Sequence, residues 1–237
     1  MRNLCIILPA KDVPVDNASA KDSLRNYLAF LKEAGFLYLT PSGKKSGDLS
    51  THQRAEQLEA LRASAADCTR CKLCQGRTHV VFGEGNPNAD LVFVGEGPGA
   101  DEDAQGRPFV GRSGQLLTKM ITEVGLQREE VFICNVVKCR PPGNRDPEVD
   151  EMDACEPFLK GQIALIQPKV IVTLGRFATH RLTGLDTPIT KMCGHPYLYG
   201  ETTLIPLLHP AAVLRNMSQL PGTIENLKRA VEIVRSK

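Results

Sequence analysis

Four short apolar runs, at residues 91–95, 131–137, 169–174 and 203–208, alternate with longer stretches whose apolar residues recur at helical spacing. No other feature of the chain constrains its fold as strongly. Strands joined through helices of this length pair in parallel and carry helices on both faces of the sheet. The helical stretches are read at residues 114–124, 148–166, 177–182 and 224–234, and an earlier helix at 51–65 turns Leu58 and Leu61 inward. The class is therefore α/β, and ligands of such sheets bind beyond the carboxyl ends of the strands.

The first 50 residues stand apart from this pattern. Residues 1–20 show no clean period, while Leu24, Tyr27, Leu28, Leu31 and Ala34 mark a helix over 23–36. A stretch of Pro, Ser, Gly and Lys at 41–47 reads as a linker. The expected organisation is an N-terminal extension at 1–50, one helix plus linker, and a main domain at 51–237. No apolar run approaches the roughly 20 residues of a membrane span. The run at residues 4–8 is too short for a secretory core, so a cytoplasmic location is expected. With 29 Lys and Arg against 27 Asp and Glu, global charge neither demands nor excludes a nucleic-acid partner; a local patch must decide.

Eight cysteines are too many to ignore. In a reducing compartment they are not a disulfide framework, which leaves core packing, redox chemistry or metal ligation. Cys68-x-x-Cys71-x-x-Cys74 comes first, Cys134, Cys139 and Cys155 follow, and Cys5 and Cys193 are isolated. A C-x-x-C pair brings two thiolates to one centre from a single turn. A zinc site usually draws its second pair from another close-spaced motif, whereas Cys139 and Cys155 are 16 residues apart. Thiolates from scattered elements suit an iron–sulfur cluster. On spacing alone, zinc, a cluster and purely structural thiols all stay open.

The segments after the strands carry the remaining chemistry. Gly95-Glu96-Gly97-Pro98-Gly99 allows close backbone approach to a ligand, although Pro98 breaks the dinucleotide fingerprint and a tight turn explains it equally. Phe109, between Pro108 and Gly111, offers an aromatic face or an ordinary core residue. Asn135 carries an amide that both donates and accepts, as reading a base edge requires. His209, at the head of His-Pro-Ala-Ala-Val-Leu-Arg-Asn, offers a donor to a developing anion or a structural imidazole. All four occupy the ends of expected strands in one sheet.

Gly-Glu-Gly-Pro-Gly-x-x-Glu-Asp, Gly-Arg-Pro-Phe-Val-Gly-Arg-Ser-Gly-Gln-Leu-Leu, Asn-Val-Val-Lys-Cys-Arg-Pro-Pro-Gly-Asn-Arg and His-Pro-Ala-Ala-Val-Leu-Arg-Asn, in that order, resemble the family 4 uracil-DNA glycosylases, the iron–sulfur-containing branch of their superfamily. The similarity runs from residue 68 to about 217. It implies a three-layer α/β/α sandwich around a four-stranded parallel sheet, and a 4Fe–4S cluster on Cys68, Cys71, Cys139 and Cys155. Cys74 and Cys134 fall outside that ligand pattern.

The resemblance further implies a monomer that acts on uracil-containing DNA, flips the base into a pocket and leaves an abasic site. Phe109 would stack on the base and Asn135 would bond its edge. The Glu96-Gly97 backbone and Glu102 would line the pocket, and neutral His209 would donate to the departing uracil anion. Leu214 or Arg215 would fill the vacated stack, and Arg140 and Arg145 would meet DNA phosphates unless they are solvated loop charges. The best-known branch has an Asp at the position of Gly97 to orient water, so here Asn135 and Glu102 are the candidates. Residues 1–50 could contact a polymerase or clamp. The alternative from another class is a non-catalytic module for deaminated-base DNA linked to a replication polymerase.

Overall fold

The computed structural model describes residues 50–236. The expected helix at 23–36, Cys5 and any polymerase contact of the extension lie outside the described residues. Helix α1 (Thr51–Ala66) begins at a reciprocal cap: Ser50 Oγ accepts from Gln53 N at 3.3 Å and Gln53 Oε1 accepts from Ser50 N at 2.9 Å. Six strands follow in one sheet: β1 (Glu84–Gly85), β2 (Leu91–Gly95), β3 (Phe132–Asn135), β4 (Val170–Leu174), β5 (Tyr197–Tyr199) and β6 (Thr202–Leu207). Their spatial order is β1-β3-β2-β4-β6-β5.

The four central strands are parallel, as the alternation of runs and helices requires. The two edge strands pair antiparallel and widen the expected four-stranded sheet to six. With two and three residues, β1 and β5 are too short to show a period, so composition could not announce them.

The connecting helices are α2 (Ala100–Gln105), α3 (Arg112–Glu123), α4 (Val149–Ile166), α5 (Arg176–Thr183), α6 (Ile189–Met192), α7 (Pro210–Arg215) and α8 (Leu220–Ser236). Phe93, Ile133, Val172 and Ile205 of the sheet pack with Leu117, Met120 and Ile121 of α3 and Leu227 and Ala230 of α8. Val92, Val94 and Ile171 point to the opposite face and are equally buried. Helices α1 and α4 supply Leu58, Leu61, Phe158 and Leu159. They approach so closely that a Cβ on Gly161 would sit 2.8 Å from Leu61 Cδ2. The α/β/α layering follows from these two buried faces.

Register decides where the site can form. Gly95 is opposite Asn135 at the ends of β2 and β3, and Leu174 is opposite Leu207 at the ends of β4 and β6. Glu96, Gly175 and His209 therefore leave the sheet on one side. No described helix is long and apolar enough to cross a membrane.

Candidate active site and cysteine cavity

A cleft of about 680 Å³ opens beyond the strand ends and is lined by Glu96, Glu102, Phe109, Asn135, His209 and Arg215 among others. This volume lies within the usual range for a small-molecule pocket, about 300–1,000 Å³. Three missing side chains shape it. A Cβ on Gly95 would fall 2.4 Å from Asn135 Oδ1 and 2.5 Å from Phe109 Cζ, so only glycine lets these two groups close over the strand end. A Cβ on Gly114 would fall 1.9 Å from the Phe109 carbonyl oxygen. At Gly97 a Cβ would meet Val137 Cγ2 at 2.7 Å, so the wall leaves no room there for an acidic side chain.

Phe109 has φ of 50°, a left-handed backbone that a bulky residue adopts only under constraint. Glu102 supplies that constraint. Its Oε1 accepts from Val110 N and Gly111 N, both at 2.9 Å, and its Oε2 accepts from Gly99 N at 3.1 Å. The carboxylate thus staples the β2–α2 turn to the loop that presents Phe109. With both oxygens engaged by backbone donors, Glu102 is poorly placed to orient a water, contrary to one of the two expectations for it.

Asn135 is 1% exposed, and its Oδ1 accepts no hydrogen bond from the described residues. A buried acceptor without a partner is rare and calls for a ligand. His209 faces Phe109 with ring centroids 5.7 Å apart and planes inclined by 33°. It caps α7: its Nδ1 accepts from Ala211 N at 3.1 Å, which leaves the proton of the neutral ring on Nε2. Burial, with Arg215 adding to it, lowers the His209 pKa to about 4. Gly175, at φ of 87°, lets the β4–α5 turn pass behind the imidazole.

Glu96 lines the same cleft, and burial first, then the charge of Asp146, raises its pKa to about 7 against the pull of Arg176. The sequence reading used only its backbone. Nothing in the Gly-Glu-Gly-Pro-Gly string discloses the shift, because it comes from burial and then from Asp146, a residue of the loop after β3.

The expected DNA contacts divide. Arg215 is exposed at the rim of the cleft. Leu214 packs partly against the core, whereas Met217, 50% exposed, is the freer apolar side chain of that segment. Arg140 is half-buried and donates from Nε to Asn144 Oδ1 at 2.7 Å. Arg145 is neither a solvated loop charge nor a ready phosphate ligand. It holds fully buried Glu151 through Nη1 and Nη2 at 2.8 and 2.6 Å, a bidentate pair.

Cys68, Cys71, Cys139 and Cys155 line a second, smaller cavity together with Ala65, Val80 and Phe158. Cys74 and Cys134 lie outside that lining. Among the described residues no three His, Cys, Asp or Glu side chains form a single-ion site. The four thiols come from the turn after α1, the loop after β3 and the middle of α4. Burial raises the pKa of Cys71 and Cys139, and that of Cys155 to about 12, while Arg77 beside Cys139 and Lys138 beside Cys155 pull the other way. Arg77, which sequence reading missed, donates from Nη1 to the Cys68 carbonyl at 2.5 Å and to Cys139 Sγ at 3.5 Å. The donor set fits a thiolate-bound, negatively charged group that displaces the thiol protons on binding.

A family model described as the uracil DNA glycosylase superfamily matches residues 82–235. The chain is 48% identical over 187 residues to a type-4 uracil-DNA glycosylase of Sulfurisphaera tokodaii, covering 75% of this chain and 85% of that protein. It is 46% identical over 190 residues to a type-4 uracil-DNA glycosylase of Thermotoga maritima, with 78% and 99% covered. A third such protein, from Saccharolobus solfataricus, is 44% identical over 191 residues, with 77% and 88% covered.

Proposed function

The chain belongs to the uracil-DNA glycosylase superfamily, and we propose that it hydrolyses the N-glycosidic bond of uracil in DNA, leaving an abasic site for repair. The orphaned, buried Oδ1 of Asn135 between Phe109 and the strand ends carries this reading. A base inside a duplex is out of reach, so the nucleotide must be extruded into the cleft, at a cost of a few kcal/mol. There Phe109 offers a face for stacking. The Asn135 amide accepts from uracil N3–H and donates to O4; cytosine presents the opposite pattern and is refused.

Bond cleavage leaves positive charge on the sugar and negative charge on the departing base. His209 Nε2–H, neutral and fixed by its cap, points a donor at that anion without having to reorganise. Glu96 is the better candidate for positioning the water, because its carboxylate is half-buried at the cleft while both Glu102 oxygens are engaged. The water proton passes to Glu96 as the oxygen attacks C1′ of the sugar. Glu102 acts through the loop of Phe109. At the rim, Arg215 meets phosphate and Leu214 or Met217 fills the vacated stack.

A 4Fe–4S cluster on Cys68, Cys71, Cys139 and Cys155 would supply a covalent tie among three segments of the chain. Four sulfurs from three separate segments around one cavity, with Arg77 and Lys138 beside them, support a cluster over zinc. In this reading residues 51–237 form the glycosylase domain of a cytoplasmic monomer, and residues 1–50 are the segment available to a polymerase or clamp. A binding module without turnover is not favoured, since it would need neither a neutral His209 nor a titrating Glu96.

The deciding experiment incubates the protein with a uracil-containing oligonucleotide and cleaves abasic sites with alkali; absence of product at micromolar enzyme would sink the reading. Glu96→Gln is expected to lower the single-turnover rate about 100-fold, in the range of general-base contributions. The sign of the pH effect follows from the raised pKa. The wild-type rate falls as pH drops through about 7, where Glu96 takes a proton, and the variant lacks that limb. An acid limb that survives in Glu96→Gln assigns it to another group.

A further inference from the structure

Lys138 stands in the wall between the cleft and the cysteine cavity. It is 1% exposed, yet it carries an ammonium group. Its Nζ donates to the Asn135 carbonyl oxygen at 2.7 Å and to Gln162 Oε1 at 2.6 Å. Gln162 is itself fully buried and donates onward from Nε2 to the Phe82 carbonyl at 2.7 Å. Both acceptors of Lys138 are neutral, and among the described residues it has no carboxylate partner.

A cation taken out of water costs several kcal/mol unless an anion stands close by. The other end of the same residue faces the cysteine cavity. Lys138 N donates to Cys155 Sγ at 3.2 Å, and Lys138 lines the cavity of the four cysteines. Four thiolates outweigh the positive core of an iron–sulfur cluster, so a ligated cluster is an anion. We infer that Lys138 is a positioning residue with two ends: its charge compensates the anionic occupant of the cysteine cavity, and its Nζ braces the backbone of Asn135, joining that cavity to the base-reading end of the cleft. The inference rests on the cluster reading above.

Two consequences separate this role from plain packing. Cluster potentials follow local charge and hydrogen bonding, so removing a nearby cation makes reduction harder. Releasing the Asn135 carbonyl lets the amide wander, which weakens the hold on the base rather than the departure of the anion.

The test compares wild-type protein with Lys138→Met, both purified anaerobically, for iron per chain, cluster midpoint potential and affinity for a uracil-containing oligonucleotide. The expected result is a lower midpoint potential, cluster lost more readily on exposure to air, and affinity reduced about tenfold, which corresponds to roughly 1.4 kcal/mol. Wild-type values for all three in Lys138→Met overturn the inference. If Lys138→Met does not accumulate as folded protein, Gln162→Glu reads the same charge: a carboxylate beside Lys138 must lower the potential, and an unchanged potential there overturns the inference as well. Wild-type protein without iron would instead remove the cluster reading itself, and this inference with it.

Discussion

Replacing His209 by alanine is expected to lower the single-turnover rate on uracil-containing DNA by about 100- to 1,000-fold, the size of effect found when one preorganised donor to a developing oxyanion is lost. Affinity for the same DNA should change by less than about tenfold, since the donor acts on charge that the bound substrate does not yet carry. The geometry gives the reason. Nδ1 is occupied by Ala211 N at 3.1 Å, so the ring presents its remaining proton to the cleft. Burial holds the ring neutral down to about pH 4, so His209 keeps this form across the range from about pH 5 to 8 and contributes no limb to the rate profile there. Equal losses in rate and affinity would make His209 a binding residue. A limb near pH 6.5 that disappears in His209→Ala would show that the imidazole titrates as an exposed one does.

Cys155→Ala is expected to yield colourless protein that has lost its iron and unfolds on the order of 10 °C below the wild type, the shift that several kcal/mol produce in a domain of this size. Cys155 is the thiol that α4 contributes to the cavity, on the far side from the segment between α1 and β1. That segment is also held by Val81 N to Lys138 O at 2.8 Å, by Thr78 N to Asp103 Oδ1 at 2.9 Å and by Gln162 Nε2 to the Phe82 carbonyl at 2.7 Å. If the proposed cluster joins Cys68 and Cys71 to Cys155, its loss leaves that segment to these bonds, its buried side chains and the ion pairs of Lys72 with Glu148 and Asp150, which are solvent-exposed and weak. Cys74→Ala serves as the contrast, because Cys74 lies outside the cavity lining and its loss should leave iron content and melting temperature close to wild type. Loss of iron from Cys74→Ala but not from Cys155→Ala would reassign the ligand set.

Three of the four central strands were readable as short, mostly apolar runs buried on both faces, and β6 joins them from Leu204 onward. The placement of Asn135 and His209 was readable for the same reason, since the rule about strand ends needs only the strands. Local spacing could not show which polar groups are already engaged. Glu102 looks like a free acid in Gly-x-x-Glu-Asp, yet three backbone amides from two loops hold it. Arg145 looks like a phosphate ligand, yet its bidentate partner Glu151 is fully buried. Leu214 looks like a wedge, yet it leans on the core while Met217 does not.

The sequence by itself therefore determined the parallel sheet, the end of it that carries the site, and the residue types gathered there. Those features follow from the period of apolar residues, a property of neighbours along the chain. Only the tertiary structure decided that Glu102 is held by backbone amides, that burial and Asp146 raise the Glu96 pKa to about 7, and that Lys138 reaches from the cysteine cavity to the Asn135 carbonyl. These depend on burial and on charges that arrive from distant segments. A carboxylate has no perturbed character until folding removes its water and chooses its neighbours.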